Sequence, residues 1–184
     1  MIIIKGKKLD EKLVPADKQE FDLLKLEMEK NPALKKQLTT PMKDIPQYDH
    51  VHGGVPNAGY YSLFSVLEFL IIENKCKLLF SKAGNTFAGF VAYVEEGKNI
   101  IGLKIASFYD DKLKANGVMA NDLKKFIAAE MPYRNKIEWE VEDANKQASV
   151  LYQKAIPKWF PQYEFIWNWD AKKHRWVYTI SKRP

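Results

Sequence analysis

The sequence predicts an α+β fold, a mixed central sheet of about seven strands flanked by about four helices. Three observations carry that expectation. The chain has 184 residues, enough for one domain spanning 1–184 with a sizeable buried core. Its middle reads as β-rich segments joined by short turns. Segments with helical spacing stand before, within and after that middle.

Composition narrows the function classes. The hydrophobic share of 46% and charged share of 28% are near globular averages and argue against wholesale disorder. The apolar stretch Leu67 to Ile72 is broken by Glu68, and no apolar run approaches the ~20 residues of a membrane span. Met1 to Leu13 lacks a signal-peptide pattern, so a cytoplasmic protein without a membrane partner is expected. One cysteine, Cys76, makes neither an internal disulfide nor a zinc framework. The net charge of +6 is almost all lysine, with only Arg134, Arg175 and Arg183 supplying guanidinium groups. Specific nucleic-acid recognition leans on the arginine fork, so no specific nucleic-acid partner is expected.

The elements follow in order. Ile2 to Lys5 is a β-branched run and a candidate first strand. Pro15 suits the first turn of a helix, and Asp17 with Glu20 has capping-box spacing. Phe21, Leu24 and Met28 give that helix one apolar face, and Asn31-Pro32 interrupts it. Thr39 to Gly59 holds three prolines and three glycines and reads as a long irregular loop, the kind that often walls a binding site. A second helix runs from about Gly59 to Glu73, with a wide apolar face. Lys77 to Ser81, Thr86 to Val94 and Ile100 to Phe108 are strands in an antiparallel meander. Asn116-Gly117 opens a third helix, ending before Pro132. Lys136 to Glu142 alternates strictly, with Ile137, Trp139 and Val141 on the buried side. A helix from about Ala144 to Ala155 is stopped by Pro157, and strands near Tyr163 to Asp170 and Arg175 to Ser181 close the chain. The helical connection after Phe108 predicts a parallel crossover.

Chemistry concentrates in two places. The end of the third meander strand, a Lys-bearing turn, Gly117 and a helix start together form a candidate anion site, because free amides and the positive helix end face one point. Taken alone, a glycine there is more often just a turn or a cap. The second place is the strand-to-helix junction after Val141, where Ala148 and Tyr152 lie four apart on one helical face. Residue by residue, a capping Asn145 and a packed Tyr152 explain it better.

Together the two places resemble the GCN5-related N-acetyltransferase (GNAT) superfamily, as a divergent member. Val141, Asn145, Ala148, Leu151, Tyr152 and Lys154 match the family's last motif in sequence and spacing. Lys114-Ala-Asn-Gly117-Val-Met119 stands where the family has its pyrophosphate loop, with Lys114 for Gln or Arg and Met119 for a small residue. The family's closing Gly-Phe is Ile156-Pro157 here. The resemblance covers roughly Leu78 to Ile156, the expected cofactor-binding core. It implies a single GNAT-like domain that takes acetyl-CoA as co-substrate and passes the acetyl group directly to a primary amine of unknown origin. Backbone groups of Asn116, Gly117, Val118, Met119 and Ala120 would then cradle the pyrophosphate beside Lys114. Ile105, Ser107 and Phe108 would pair with the pantetheine arm, Asn145 would contact it, and Tyr152 would act as general acid. Glu140, with Glu138 and Tyr109 as rivals, would be the base. No metal is implied, and the chain would be a monomer or homodimer. The alternative is a catalytically inactive domain of the same fold, serving as a ligand-binding or interaction module.

Other constellations carry less. His50 and His52 lack a third metal ligand at convincing spacing. Cys76 reads as a small packed residue. The aromatic-rich end, with Trp159, Trp167, Trp169 and Trp176 among Lys158, Lys172 and Lys173, reads as amphipathic strands in preference to a single-strand binding surface.

Overall fold

Two helical layers enclose the sheet, and the strand pattern decides which side chains reach each. In the computed structural model, residues 2–4, 7–9, 11–44, 61–73, 76–108, 117–143 and 145–184 are described. The strands are β1 (Ile2–Ile4), β2 (Lys7–Leu9), β3 (Lys12–Pro15), β4 (Lys77–Ala83), β5 (Thr86–Glu96), β6 (Asn99–Ser107), β7 (Lys136–Glu142), β8 (Glu164–Asp170) and β9 (Arg175–Ser181). The helices are α1 (Lys18–Lys30), α2 (Pro32–Thr39), α3 (Leu63–Glu73), α4 (Val118–Glu130) and α5 (Lys146–Trp159). Seven strands form the central sheet in the order β3-β4-β5-β6-β7-β9-β8.

One core lies between the sheet and α1–α3, with Phe80, Phe90 and Phe108 meeting Leu24, Leu38 and Leu67. The other lies beneath α4 and α5, where Val91, Tyr93, Trp139 and Tyr178 meet Leu123, Phe126, Tyr152 and Ile156. The strict alternation of β7 sends Ile137, Trp139 and Val141 into this second core and leaves Glu138, Glu140 and Glu142 on the other face.

Several expectations need correction. The run at Ile2 is a strand, but it pairs with β2 in a separate hairpin; the sheet's edge is Lys12–Pro15. Pro15 therefore ends an edge strand, where a missing N–H costs least, and does not open a helix. Asp17 does cap α1, accepting from the Glu20 amide at 2.8 Å, while the Glu20 carboxylate turns to Lys82 at 2.5 Å. Asn31 ends α1 and also starts α2, a helix the sequence reading omitted; Leu34 and Leu38, four apart and buried, hold it down. That makes five α-helices among the described residues, one more than expected. Thr39 belongs to α2, and Met42–Asp44 forms a 3-10 turn, so the expected loop begins later; residues 45–60, with His50 and His52, lie outside the described residues. Pro157 does not stop α5, which continues to Trp159. Proline there forfeits only the bond to the Gln153 carbonyl, and buried Ile156 and Phe160 pin the last turn to the core.

Candidate active site

The cleft arises where two parallel strands part. β6 and β7 pair only at Asn99↔Lys136 and Ile100↔Ile137, although both continue for several residues. The cause lies in β6. Gly102 sits at φ +60, and the β5–β6 register slips there, so that β6 spends one extra residue between Ile101 and Lys104. Such a bulge bends its strand and increases its twist. The slip also explains why Ile100 and Leu103, three apart, reach the same core.

Register then decides which backbone groups face the opening. The Phe108 amide donates to the Ala88 carbonyl at 2.8 Å. In an antiparallel ladder the bonded positions alternate, so Ala106 and Lys104 also bond to β5 while the backbone groups of Ile105 and Ser107 point toward the β7 side. Of the three residues expected to meet a pantetheine arm, Phe108 differs from Ile105 and Ser107: its amide is taken, and its ring is fully buried against Phe90 on the α1–α3 side.

Both crossover helices begin at the end where the strands have parted, since each follows the C-terminal end of β6 or β7. α4 starts at Gly117, whose φ of +62 suits glycine and whose missing side chain leaves the first turn without a side-chain cap among the described residues. The amides of Val118, Met119 and Ala120 precede the first intrahelical bond, which runs from Asn121 to Gly117. The starts of α1, α2, α3 and α5 are all capped, by Asp17, Asn31, Ser62 and Asn145. An uncapped start of this kind fits an anion. Val118 is buried, Met119 and Ala120 are half-buried, and Gly117 is exposed. Lys114, Asn116 and Tyr109 lie outside the described residues.

Asn145 caps α5 by accepting from the Ala148 amide at 3.1 Å, which commits its side-chain oxygen. One turn further on, Tyr152 is only 6% exposed, its ring set edge-on to Trp139 at 5.7 Å and to Tyr178 at 5.5 Å. Burial pushes its phenol well above the ordinary range, so it holds its proton. The Trp139 indole N–H is buried with no partner among the described residues.

Glu140 meets a different environment. Lys173 lies 2.6 Å and Arg175 3.2 Å from its carboxylate oxygens. Burial alone would raise the carboxyl, but those two cations outweigh it and hold Glu140 below the usual carboxylate range. A carboxylate tied to two cations is a weak base, and this one ties β7 to the β8–β9 turn. Glu138 pairs with Lys136 at 3.0 Å. Cys76 is half-buried, and burial raises its thiol, which fits a packing role. No cluster of metal-ligating side chains occurs among the described residues. No described helix is long and apolar enough to cross a membrane.

One feature carries no sequence signal in its surroundings. Asp122, on the core side of α4, is fully buried and accepts a hydrogen bond from Ser81 Oγ at 2.9 Å. A charged residue at a helical core position was visible in the sequence, but its partner on β4 was not.

The seven-stranded mixed sheet flanked by helices is the fold of the GNAT acyltransferases. Solved structures share it over nearly the whole chain. The Campylobacter jejuni N-acetyltransferase PseH, solved with acetyl coenzyme A, is 14% identical with a TM-score of 0.50, covering 95% of this chain and 100% of its own. An acetyltransferase from Thermus thermophilus is 14% identical at TM-score 0.54, covering 97% and 98%. The microcin C7 self-immunity acetyltransferase MccE, solved with acetyl-CoA and AMP, is 16% identical at TM-score 0.56, covering 97% and 95%. No family model matches the sequence, and no curated protein matches it.

Proposed function

We propose that this chain is an acetyl-CoA-dependent N-acetyltransferase that passes the acetyl group directly to a primary amine. The observation that carries the reading is the parted end of β6 and β7, with the uncapped start of α4 at the same end. The acetyl-CoA bound in the PseH and MccE structures supports it. Acetyl-CoA, when bound, supplies a thioester whose carbonyl carbon the amine attacks.

The chain's own groups divide the work. The amides of Gly117, Val118, Met119 and Ala120 hold the pyrophosphate, with Lys114 and Asn116 on the segment before them. Ile105 and Ser107 turn backbone groups toward the pantetheine amides, a pairing that resembles adding a strand to a sheet. Asn145 fixes the start of α5 and with it the height of Tyr152. Tyr152 donates a hydrogen bond to the sulfur as the C–S bond breaks and the C–N bond forms, the proton that the amine nitrogen sheds ending on the leaving thiolate, and its raised pKa keeps Tyr152 a donor throughout. Glu140 serves as an anchor in this scheme, since its charge is already committed.

Thermal unfolding with and without acetyl-CoA tests the reading. At 100 times its Kd a ligand stabilises by ~2.7 kcal/mol, an upward shift in Tm of roughly 5–11 °C for a chain of this size. No shift at millimolar acetyl-CoA overturns the proposal.

A further inference from the structure

The two edges of the central sheet are built differently. β3 is short and carries Lys12 and Pro15, devices that keep an edge from pairing with other strands. β8, at the far edge, reads Glu164-Phe-Ile-Trp-Asn-Trp-Asp170 and has neither lysine nor proline. Its register with β9 runs unbroken from Glu164↔Ser181 to Asp170↔Arg175, without the bulge that would twist it away. Among the described residues no strand pairs with its outer side. Ile166 is 44% exposed, and Trp167 and Trp169 are each 40% exposed. A long, regular edge with exposed tryptophans is a template for another strand.

We propose that this strand is β8 of a second copy, paired antiparallel about a twofold axis at Ile166. Residues opposite one another across such an axis share a sheet face, so the axis must fall on a residue, and the choice is short. An axis at Trp167 sets Glu164 against the partner's Asp170, which repels. An axis at Asn168 sets Ile166 against an aspartate. At Ile166, isoleucine meets isoleucine, Phe165 meets Trp167, and Glu164 meets Asn168, with no like charges opposed. The same register brings Trp169 of one copy opposite Tyr163 of the other. There a cavity of about 560 Å³ is lined by Pro157, Pro161, Tyr163, Phe165 and Arg183, among others. Trp169 and this cavity lie on the same face of the sheet, the α5 side, because Tyr163, Phe165, Trp167 and Trp169 alternate together. Each copy therefore supplies one tryptophan and receives one, as an isologous interface requires.

The contact is small. Stable interfaces bury roughly 1,200–2,000 Å², and a seven-residue edge with one seated tryptophan per copy falls at or below the lower end, so dissociation in the micromolar range is expected. The interface stands on the edge strand alone and is independent of acetyl transfer.

Sedimentation velocity on the full chain, from about 1 to 300 µM to bracket such a Kd, should show monomer giving way to dimer. Ile166→Glu sets two carboxylates face to face on the axis and should leave only monomer, with unchanged far-UV circular dichroism. In a Cys76→Ser background, Ile166→Cys places two thiols directly opposite, at a Cα separation of roughly 4.5–5.5 Å that a disulfide can bridge. Oxidation should then give a covalent dimer on non-reducing gels. Asn168→Cys, which faces Glu164 and not itself, should give none. A wild-type chain monomeric at every concentration overturns the proposal and leaves the edge to a strand of another protein. A dimer that survives Ile166→Glu, or cross-links equally through Asn168→Cys, overturns it as well.

Discussion

Replacing Asp122 with Asn tests how a carboxyl buried under α4 acts on stability. Its environment raises the carboxyl to about 7: burial first, then the nearby Glu11 charge, partly offset by the Ser81 hydrogen bond and by Lys125. In the unfolded chain the group has its ordinary value of about 3.9, so the difference of roughly 3 units corresponds to something on the order of 4 kcal/mol. The folded state binds the proton more tightly. This contribution is therefore fully present below about pH 4 and is lost as the pH rises through 7; roughly two-thirds of the loss falls between pH 5 and 8. Asn keeps an oxygen for Ser81 Oγ to donate to, but it cannot ionise. It also sets an amide where Asp122 Oδ2 has no hydrogen-bond partner among the described residues, a cost of about 1–3 kcal/mol at any pH. Urea unfolding of both proteins from pH 5 to 8 reads the outcome. The wild type should be the more stable at pH 5, and the gap should close or invert by pH 8, a change of roughly 2–3 kcal/mol. A difference between the two proteins that stays constant across that range refutes the reasoning.

Three further outcomes follow from the same geometry. A Cβ at Gly89 would stand 2.3 Å from the Ala106 carbonyl oxygen, so Gly89→Ala must push β6 from β5; overpacking of this kind costs about 1–3 kcal/mol, and acetyl-CoA affinity should fall with Tm because Ser107 lies opposite. Tyr152→Phe keeps the rings packed on Trp139 and should lower kcat by about 10²-fold or more with little change in KM, whereas equal loss of thermal stability and turnover would assign Tyr152 to packing alone. Glu140→Gln should leave the pH dependence of kcat/KM in place and loosen the β8–β9 turn; a drop of about 10²-fold with loss of the basic limb would show that Glu140 is a base after all.

How much was legible in the sequence depended on the range of the interaction. β7 was readable because alternation is written in adjacent residues, and the caps at Asp17 and Asn145 because a side chain bonds an amide three residues on. α2 was missed because Asn31-Pro32 reads as a break, although the same pair can start a new helix. Pro157 was read by a local rule that the burial of Ile156 and Phe160 overrode. At the candidate site, Gly117 and Tyr152 stood out through the resemblance of their surroundings. Glu140 looked like any strand-end carboxylate until Lys173 and Arg175 were brought to it from β9 and its turn.

The sequence by itself determined the kinds of element, most of their order and the lysine-rich charge. Those properties rest on spacing within a few residues, where geometry is nearly independent of the rest of the chain. Tertiary structure alone decided that β6 and β7 part after Ile100 and Ile137, that the Phe108 amide is committed to Ala88, and that Asp122 is buried against Ser81. It also decided which strand is left at an edge. Each of these depends on register between segments far apart in sequence, and a one-residue slip such as the bulge at Gly102 changes which groups face the cleft.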